Sequence, residues 1–480
     1  MRFSGNSWRC RTLTAFGSCV LAALSLSSIW PPAMAAAGTK IEDRVQLQRN
    51  APRGMEFVPV ARAGSSNSGK TSLGVDIVAR INIDGNAIDN AYANVLPLDR
   101  NNNGKHELVH WNGHRFMRVY DLAGKKIWQV TNSSGRKQGP EAYIQRDMAA
   151  VLDLDGDSND DILHCWQSGS TKRLVVRNSS TGKEIRSVAL EGQPLTAMSY
   201  CRLSVYRKEA DGKHIILVAH AQPGGSSKCG GRNWIDNWTR VVAFDTSLNK
   251  LWQKDTCDAG HHTAAVDADK DGLAEYFFVG KYSMDFGGKV RCTLQGWNSE
   301  DHVDGIRIAQ LDPASSKLTA VAAGRTGNGA FDPVTCKRLW TAAVTNAQEV
   351  AVAQLDPAPK PLSILMTPRG GSASYVVNTS GKVVRKIGYR VMPMQNAELD
   401  GDRRTDEVIS MFGDVFNGAG KQILSENWYW NLKGTKVATK SSSSVYDKWA
   451  AFPLLFDMDG DGRDELVAWG QSLIVVGRPR

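Results

Sequence analysis

The stretch Asp457-Met-Asp-Gly-Asp-Gly-Arg-Asp-Glu465 sets carboxylates at its first, third, fifth and ninth positions around a glycine turn. Side-chain oxygens alternating on so tight a turn converge on one point, which suits a hard cation such as calcium. Asp267, Asp269, Asp271 and Glu275 repeat the spacing, as do Asp99, Asn101, Asn103 and Glu107. Asp153, Asp155, Asp157 and Asp161 nearly repeat it, and Asp400-Gly-Asp402 is a degenerate copy, so Asp457, Asp459, Asp461 and Glu465 are one ligand set of several. These loops are not EF-hands, because β-branched and aromatic runs flank them and the glutamate at position 12 is missing. They are expected to join strands and to bind structural Ca2+.

A second set of residues could move protons and hold anions. His110, His164 and His220 stand at corresponding places after the loops, and Lys281-Tyr282 and Arg325 take those places later in the chain. Arg146, Tyr200, Arg202, His261, His262, His302, Arg307, Gln395, Asn396 and Lys448 stand just before or at the start of the runs that lead into the loops. Taken singly, each histidine is an ordinary hydrogen-bonded residue. Their recurrence at equivalent places singles them out, since His110, His114, His164, His220, His261, His262 and His302 all fall in or beside these connections.

The elements that must position both sets are strands. Glycine is abundant, with 45 residues, and almost no stretch carries an apolar stripe of helical period, which argues for an all-β chain. Each acidic loop follows an apolar run ending in Asp and precedes a short run such as Glu107-Leu-Val-His-Trp111. A third run ends near Asp or Asn, as in Val241-Val-Ala-Phe-Asp245, and a Lys-x-Trp-like run follows, as in Lys250-Leu-Trp252. The loop anchors fall near Asp99, Asp153, Glu209, Asp267, Asp312, Asp356, Asp400 and Asp457, at intervals of 44 to 58 residues. Four short strands at that period make a β-propeller, eight-bladed by this count and seven-bladed if one weak unit is an insertion. The last unit is short of strands, so an N-terminal strand, Phe57 to Ala61 or Val75 to Ile81, is expected to complete it. With strands A to D counted from the axis outward, the acidic loops join A to B on one face. The histidine-bearing connections lie on the other, where they would form a cationic funnel.

The densest segment runs from Gly260-His-His-Thr-Ala-Ala-Val-Asp-Ala-Asp-Lys-Asp-Gly272 through Val279-Gly-Lys-Tyr-Ser-Met-Asp285 to Asp301-His-Val-Asp-Gly-Ile-Arg-Ile-Ala-Gln-Leu-Asp-Pro313. This order resembles the bacterial rhamnogalacturonan lyases built on an eight-bladed, calcium-binding propeller, and more loosely the propeller-type ulvan lyases. The resemblance covers His261 to Asp356 best. It departs at Ala314-Ser-Ser-Lys317, where the pectin-degrading propellers are more acidic, which leaves another uronate polymer open as substrate.

Such a resemblance implies a polysaccharide lyase acting on an acidic, rhamnose-containing polysaccharide. Its chemistry removes the C5 proton of a uronate and expels the 4-linked sugar, so it needs a base, an acid and a cation on the carboxylate. His110, His164 or His220 would serve as base, Tyr200 and Tyr282 as acid or base, and Arg202 or Arg325 as carboxylate clamp. Arg146, Lys281, Gln395, Asn396, Lys448 and the insertion bearing Arg232, Trp234 and Trp238 would line the groove. Hydrolysis would require a converging carboxylate pair, and the acids are committed to the metal loops. The ulvan-lyase likeness adds a candidate Zn2+ site from Cys257, His261, His262, Cys292 and His302, with disulfides as the competing use of the cysteines.

Residues 1 to 36 read as a secretory leader: Arg2, Arg9 and Arg11, an apolar run from Leu13 to Ile29, then Ala33-Met-Ala35. No later run is long enough to insert in a membrane, so residues 37 to 480 are expected to be one exported propeller, periplasmic or secreted and monomeric. Removing the leader lowers the formal charge from +9 to +6, which is modestly basic without the dense Lys/Arg blocks of a nucleic-acid binder. The alternative function is a non-catalytic calcium-binding propeller that holds a carbohydrate or a protein on the same basic face.

Overall fold

The computed structural model describes residues 72–85, 90, 93–112, 115–132, 149–155, 157–168, 171–191, 201–208, 213–222, 229, 238–257, 259–260, 263–297, 301–368, 373–388, 396–397, 399, 404–409, 414–425, 454–459, 464–470 and 472–480. The leader, the Phe57 to Ala61 segment, Arg146, Tyr200, Arg232, Trp234, His114, His261, His262, Gln395, Lys448, Asp461 and the side chain of Asn396 lie outside the described residues.

Eight antiparallel sheets of four strands each form an eight-bladed β-propeller. Blade 1 illustrates the unit: strand A at Asn94–Leu98, B at Glu107–Asn112, C at Phe116–Tyr120 and D at Lys126–Thr131, each paired with the next. Strands A and C of this blade are buried throughout, while D alternates between exposed and half-buried. Inner strands are enclosed because neighbouring blades cover both of their faces, which replaces the usual one-sided alternation with continuous apolar runs. Ring closure follows the sequence expectation. Val75–Asn82 adds to Leu473–Pro479 as the outer strand of blade 8, with Asp76 opposite Arg478 and Ile81 opposite Ile474. The first described strand thus pairs with the last and completes the four strands of blade 8.

The recurrent residues of each unit have identifiable tasks. The Asp or Asn ending strand C accepts a backbone hydrogen bond from the residue four positions on, as at Asp121 (2.8 Å), Asp245 (2.8 Å), Asp285 (2.9 Å) and Asn378 (3.0 Å). This closes the C-to-D turn by local turn chemistry. The tryptophan of strand D then reaches the next blade's turn: Trp128 Nε1 donates to Ser179 O (2.6 Å) and Trp252 Nε1 to Phe286 O (2.7 Å). The Trp128 ring lies on Gly182, where a Cβ would come within 2.5 Å of it, and Gly288 and Gly381 take Trp252 and Trp340 in the same way.

Between blades 4 and 5 a disulfide, Cys292–Cys336, stands in that seam, and Cys336 keeps the left-handed backbone of the glycine it replaces (φ 58°). Cys165–Cys201 joins strand B of blade 2 to strand A of blade 3, and Cys229–Cys257 lies within blade 3. The zinc expectation fails on its thiolates: Cys257 and Cys292 are both consumed in disulfides, and a disulfide sulfur has no thiolate charge with which to hold zinc. No helix among the described residues is long and apolar enough to cross a membrane.

Candidate functional site

The acidic loops all join strand A to strand B, and their carboxylates are drawn inward by the backbone. Asp99 accepts from the N–H groups of Asn103 (3.0 Å) and Gly104 (2.8 Å), and Asp267 from those of Asp271 (3.1 Å) and Gly272 (2.9 Å). The ninth-position glutamate accepts from the N–H of the second residue: Glu107 from Arg100 (3.3 Å), Glu275 from Ala268 (2.7 Å) and Glu465 from Met458 (2.8 Å). Three acidic groups result, each with ligand oxygens within 4.8 Å of one another: Asp153, Asp155 and Asp157; Asp267, Asp269 and Glu275; Asp457, Asp459 and Glu465. Such all-oxygen sets suit a structural metal of the calcium type.

The copies differ in charge balance. In blade 8, Arg478 bonds Glu465 (2.7 Å) and Asp459, and in blade 1 Arg100 bonds Glu107 (3.1 Å). In blade 1 the Asn103 carboxamide instead accepts from Lys105 N (2.8 Å), and Asn101 is an exposed turn residue. In blade 4, Asp267, Asp269, Asp271 and Glu275 meet backbone N–H groups and no cation among the described residues. Burial raises the pKa of Asp267 there, with Glu275 and Asp271 adding to the effect. Blade 2 ends its loop with Asp161, which is pushed up to about 6 by burial and then by the charge of Asp155.

On the opposite face, His110, His164 and His220 occupy equivalent positions in blades 1, 2 and 3. They pair with Val95, Ala149 and Cys201, at the entry end of each strand A. All three are enclosed between blades. His164 is bonded on both ring nitrogens: Nδ1 lies 3.2 Å from Cys165 O, and Nε2 accepts from Arg177 Nε at 2.9 Å. Its Nδ1–H tautomer is therefore set. His110 lies opposite Arg118, with Nε2 3.4 Å from Asn90 O. Burial, followed by the charge of Arg118 or Arg177, pushes the pKa of His110 and His164 down to about 3, so both are neutral. His220 Nδ1 faces Gln222 Nε2 (3.0 Å) and Lys172 Nζ (3.5 Å).

The remaining candidates divide by access. Arg202 is buried and donates to Gly260 O across the seam between blades 3 and 4. Lys281 is buried with its ammonium 5.6 Å from the centre of the half-buried Tyr282 ring. Trp238 opens strand C of blade 3, half-buried and opposite Cys257. Arg325 is exposed.

Blade 5 carries a histidine with a carboxylate partner. His302 Nε2 lies 2.9 Å from Asp304 Oδ1, and 12% of its side chain remains exposed. The strand entry is irregular between Val303 and Gly305, and the contact itself shows that the two side chains meet. The Arg325 turn is fastened to the same corner. Asp301 accepts from Thr326 N (2.6 Å) and Oγ1 (3.0 Å), a Cβ on Gly324 would meet His302 O at 2.7 Å, and Asn346 N donates to Arg325 O (2.9 Å). Asp304 and Asp301 were not among the sequence candidates, although Asp304 lies only two residues from His302. Lys172, one residue into strand C of blade 2 and fully buried, had no sequence signal.

No family model matches the chain, and no curated protein matches it. Among solved structures, rhamnogalacturonan lyase YesW is 18% identical with a TM-score of 0.54, over 88% of this chain and 75% of that one. The exotype rhamnogalacturonan lyase YesX is 16% identical with a TM-score of 0.51, over 87% and 75%. BamB from Moraxella catarrhalis is 13% identical with a TM-score of 0.50, over 84% and 100%. The chain shares a bacterial β-propeller fold with these proteins.

Proposed function

We propose that the chain is an exported polysaccharide lyase that cleaves a uronic-acid-containing, rhamnose-containing acidic polysaccharide by β-elimination. The observation that carries this reading is the His302–Asp304 pair beside the exposed Arg325 in one corner of blade 5. Asp304 on Nε2 orients the ring and stabilises the imidazolium that forms when the imidazole takes the C5 proton. As that C–H bond breaks, its electrons form the C4–C5 double bond, the C4–O bond to the departing sugar breaks, and the leaving oxygen takes a proton from Tyr282 or water. Arg325 neutralises the uronate carboxylate while charge builds on it. His110, His164 and His220, enclosed, hold the seams of blades 1 to 3, away from this corner.

Calcium in the Asp99, Asp153, Asp267 and Asp457 loops would brace the other face and take no part in proton transfer. The partner is an acidic glycan, met by a monomer in the periplasm or outside the cell. Incubation with rhamnogalacturonan, ulvan and other rhamnose–uronate chains, followed by ultraviolet detection of the unsaturated uronide, tests the reading. Glycan binding without that product would support a non-catalytic binding propeller instead.

A further inference from the structure

Lys172 spans the seam between blades 2 and 3 and is 2% exposed. Its Nζ has one polar neighbour among the described residues, Nδ1 of His220 at 3.5 Å, and no carboxylate. Gln222 Nε2 reaches the same Nδ1 at 3.0 Å, and Gln222, half-buried, is the more exposed edge of the group. An ammonium enclosed without a counter-ion costs several kcal/mol, because the interior does not replace its hydration. Methionine would fill the same space without that cost. Burial alone lowers the pKa of Lys172, to about 8, so near neutral pH it still carries most of its charge. Three facts therefore coincide at the entry end of blades 2 and 3: an uncompensated cation, an amide donor and an imidazole between them.

We propose that Lys172, His220 and Gln222 form a carboxylate-binding site between blades 2 and 3 that takes a uronate side group of an acidic glycan. The ligand supplies the missing counter-charge: its carboxylate accepts from Nζ of Lys172 and from Nε2 of Gln222. The identification of the carboxylate as a uronate rests on the lyase reading above, while the site itself rests on the buried cation. In the lyase it acts on binding, two blades or more from the His302 corner, and so raises affinity without touching the proton-transfer step.

Sodium glucuronate, sodium acetate and glucose are the probes, read by thermal midpoint and titration calorimetry on the full chain. Glucuronate and acetate should raise the midpoint saturably, and glucose should not. Lys172→Met should raise the midpoint of the unliganded protein and abolish the carboxylate response, and Gln222→Ala, which keeps the ammonium, should weaken that response about tenfold. No saturable response in the wild type, or an undiminished one in Lys172→Met, overturns the site. If Lys172→Met does not fold, an undiminished response in Gln222→Ala overturns it. His302→Ala separates the two readings, since it should keep the glucuronate response. A chain that binds glucuronate through Lys172 yet releases no unsaturated product removes the lyase and keeps this site. A chain that forms product with no carboxylate response removes this site alone.

Discussion

Blades 2 and 5 each carry a histidine at the same end of the ring, in opposite settings. His164 lies inside a seam, bonded on both nitrogens, pressed against Trp166 and held neutral by burial and Arg177. His302 stands at a strand entry with a carboxylate on one nitrogen and part of its side chain open. The arginines follow the same division: Arg177 is buried and donates to His164 and to Gly182 O (3.1 Å), whereas Arg325 is exposed on a fastened turn. Residue type alone does not separate the two settings; burial and the ring's partners do.

The largest effect expected from breaking this contrast is at Arg325. Arg325→Ala should lower kcat/KM by about 10³-fold with little change in thermal midpoint, because a carboxylate clamp acts chiefly in the transition state. Next is His164→Ala, which strands the Arg177 guanidinium in the seam. It should destabilise the fold by about 3 kcal/mol in denaturant melts while leaving kcat of the folded fraction near that of the wild type.

A second stability effect is carried by pH. The folded pKa of about 3 for His110 and His164 lies below the ordinary value of 6.5, so the unfolded chain binds protons first as pH falls. Stability from these two groups is complete above about pH 6.5 and is lost between there and about pH 3, each contributing a slope of up to about 1.4 kcal/mol per pH unit. Denaturant midpoints should fall steeply over that window, and His110→Phe should flatten the slope by one proton.

Calcium removal should act on the other face. Chelation should remove the few kcal/mol of stability that a saturating ligand supplies and so lower the thermal midpoint, without a selective loss of kcat. Asp269→Asn in blade 4, where no arginine among the described residues balances the acids, should cost more calcium-dependent stability than Asp459→Asn beside Arg478.

Much of the fold was legible in the sequence because its signals are local. The Asp or Asn that closes each C-to-D turn, the glycine under each tryptophan and the acidic A-to-B loop all act within a few residues or at the next blade, so they recur with the blade period. The eight units and an N-terminal closing strand followed from that period, with Val75 to Ile81 one of the two segments it allowed. The site was less legible for a physical reason. In a propeller both faces of an inner strand pack against neighbours, so the run Glu107-Leu-Val-His-Trp111 does not reveal whether its histidine faces a channel or a seam. His110, His164 and His220 recur because the seam recurs. The disulfide partners and the Lys172–His220 contact join residues 28 to 48 apart, beyond any local pattern.

The most direct measurement is the rate of unsaturated-uronide formation by folded wild-type, His302→Ala and His164→Ala protein on the polymer that responds. Loss of about 10³-fold in kcat for His302→Ala, with His164→Ala close to the wild type, is the expected result. An active His302→Ala beside an inactive but fully folded His164→Ala would contradict the assignment of the chemistry to blade 5.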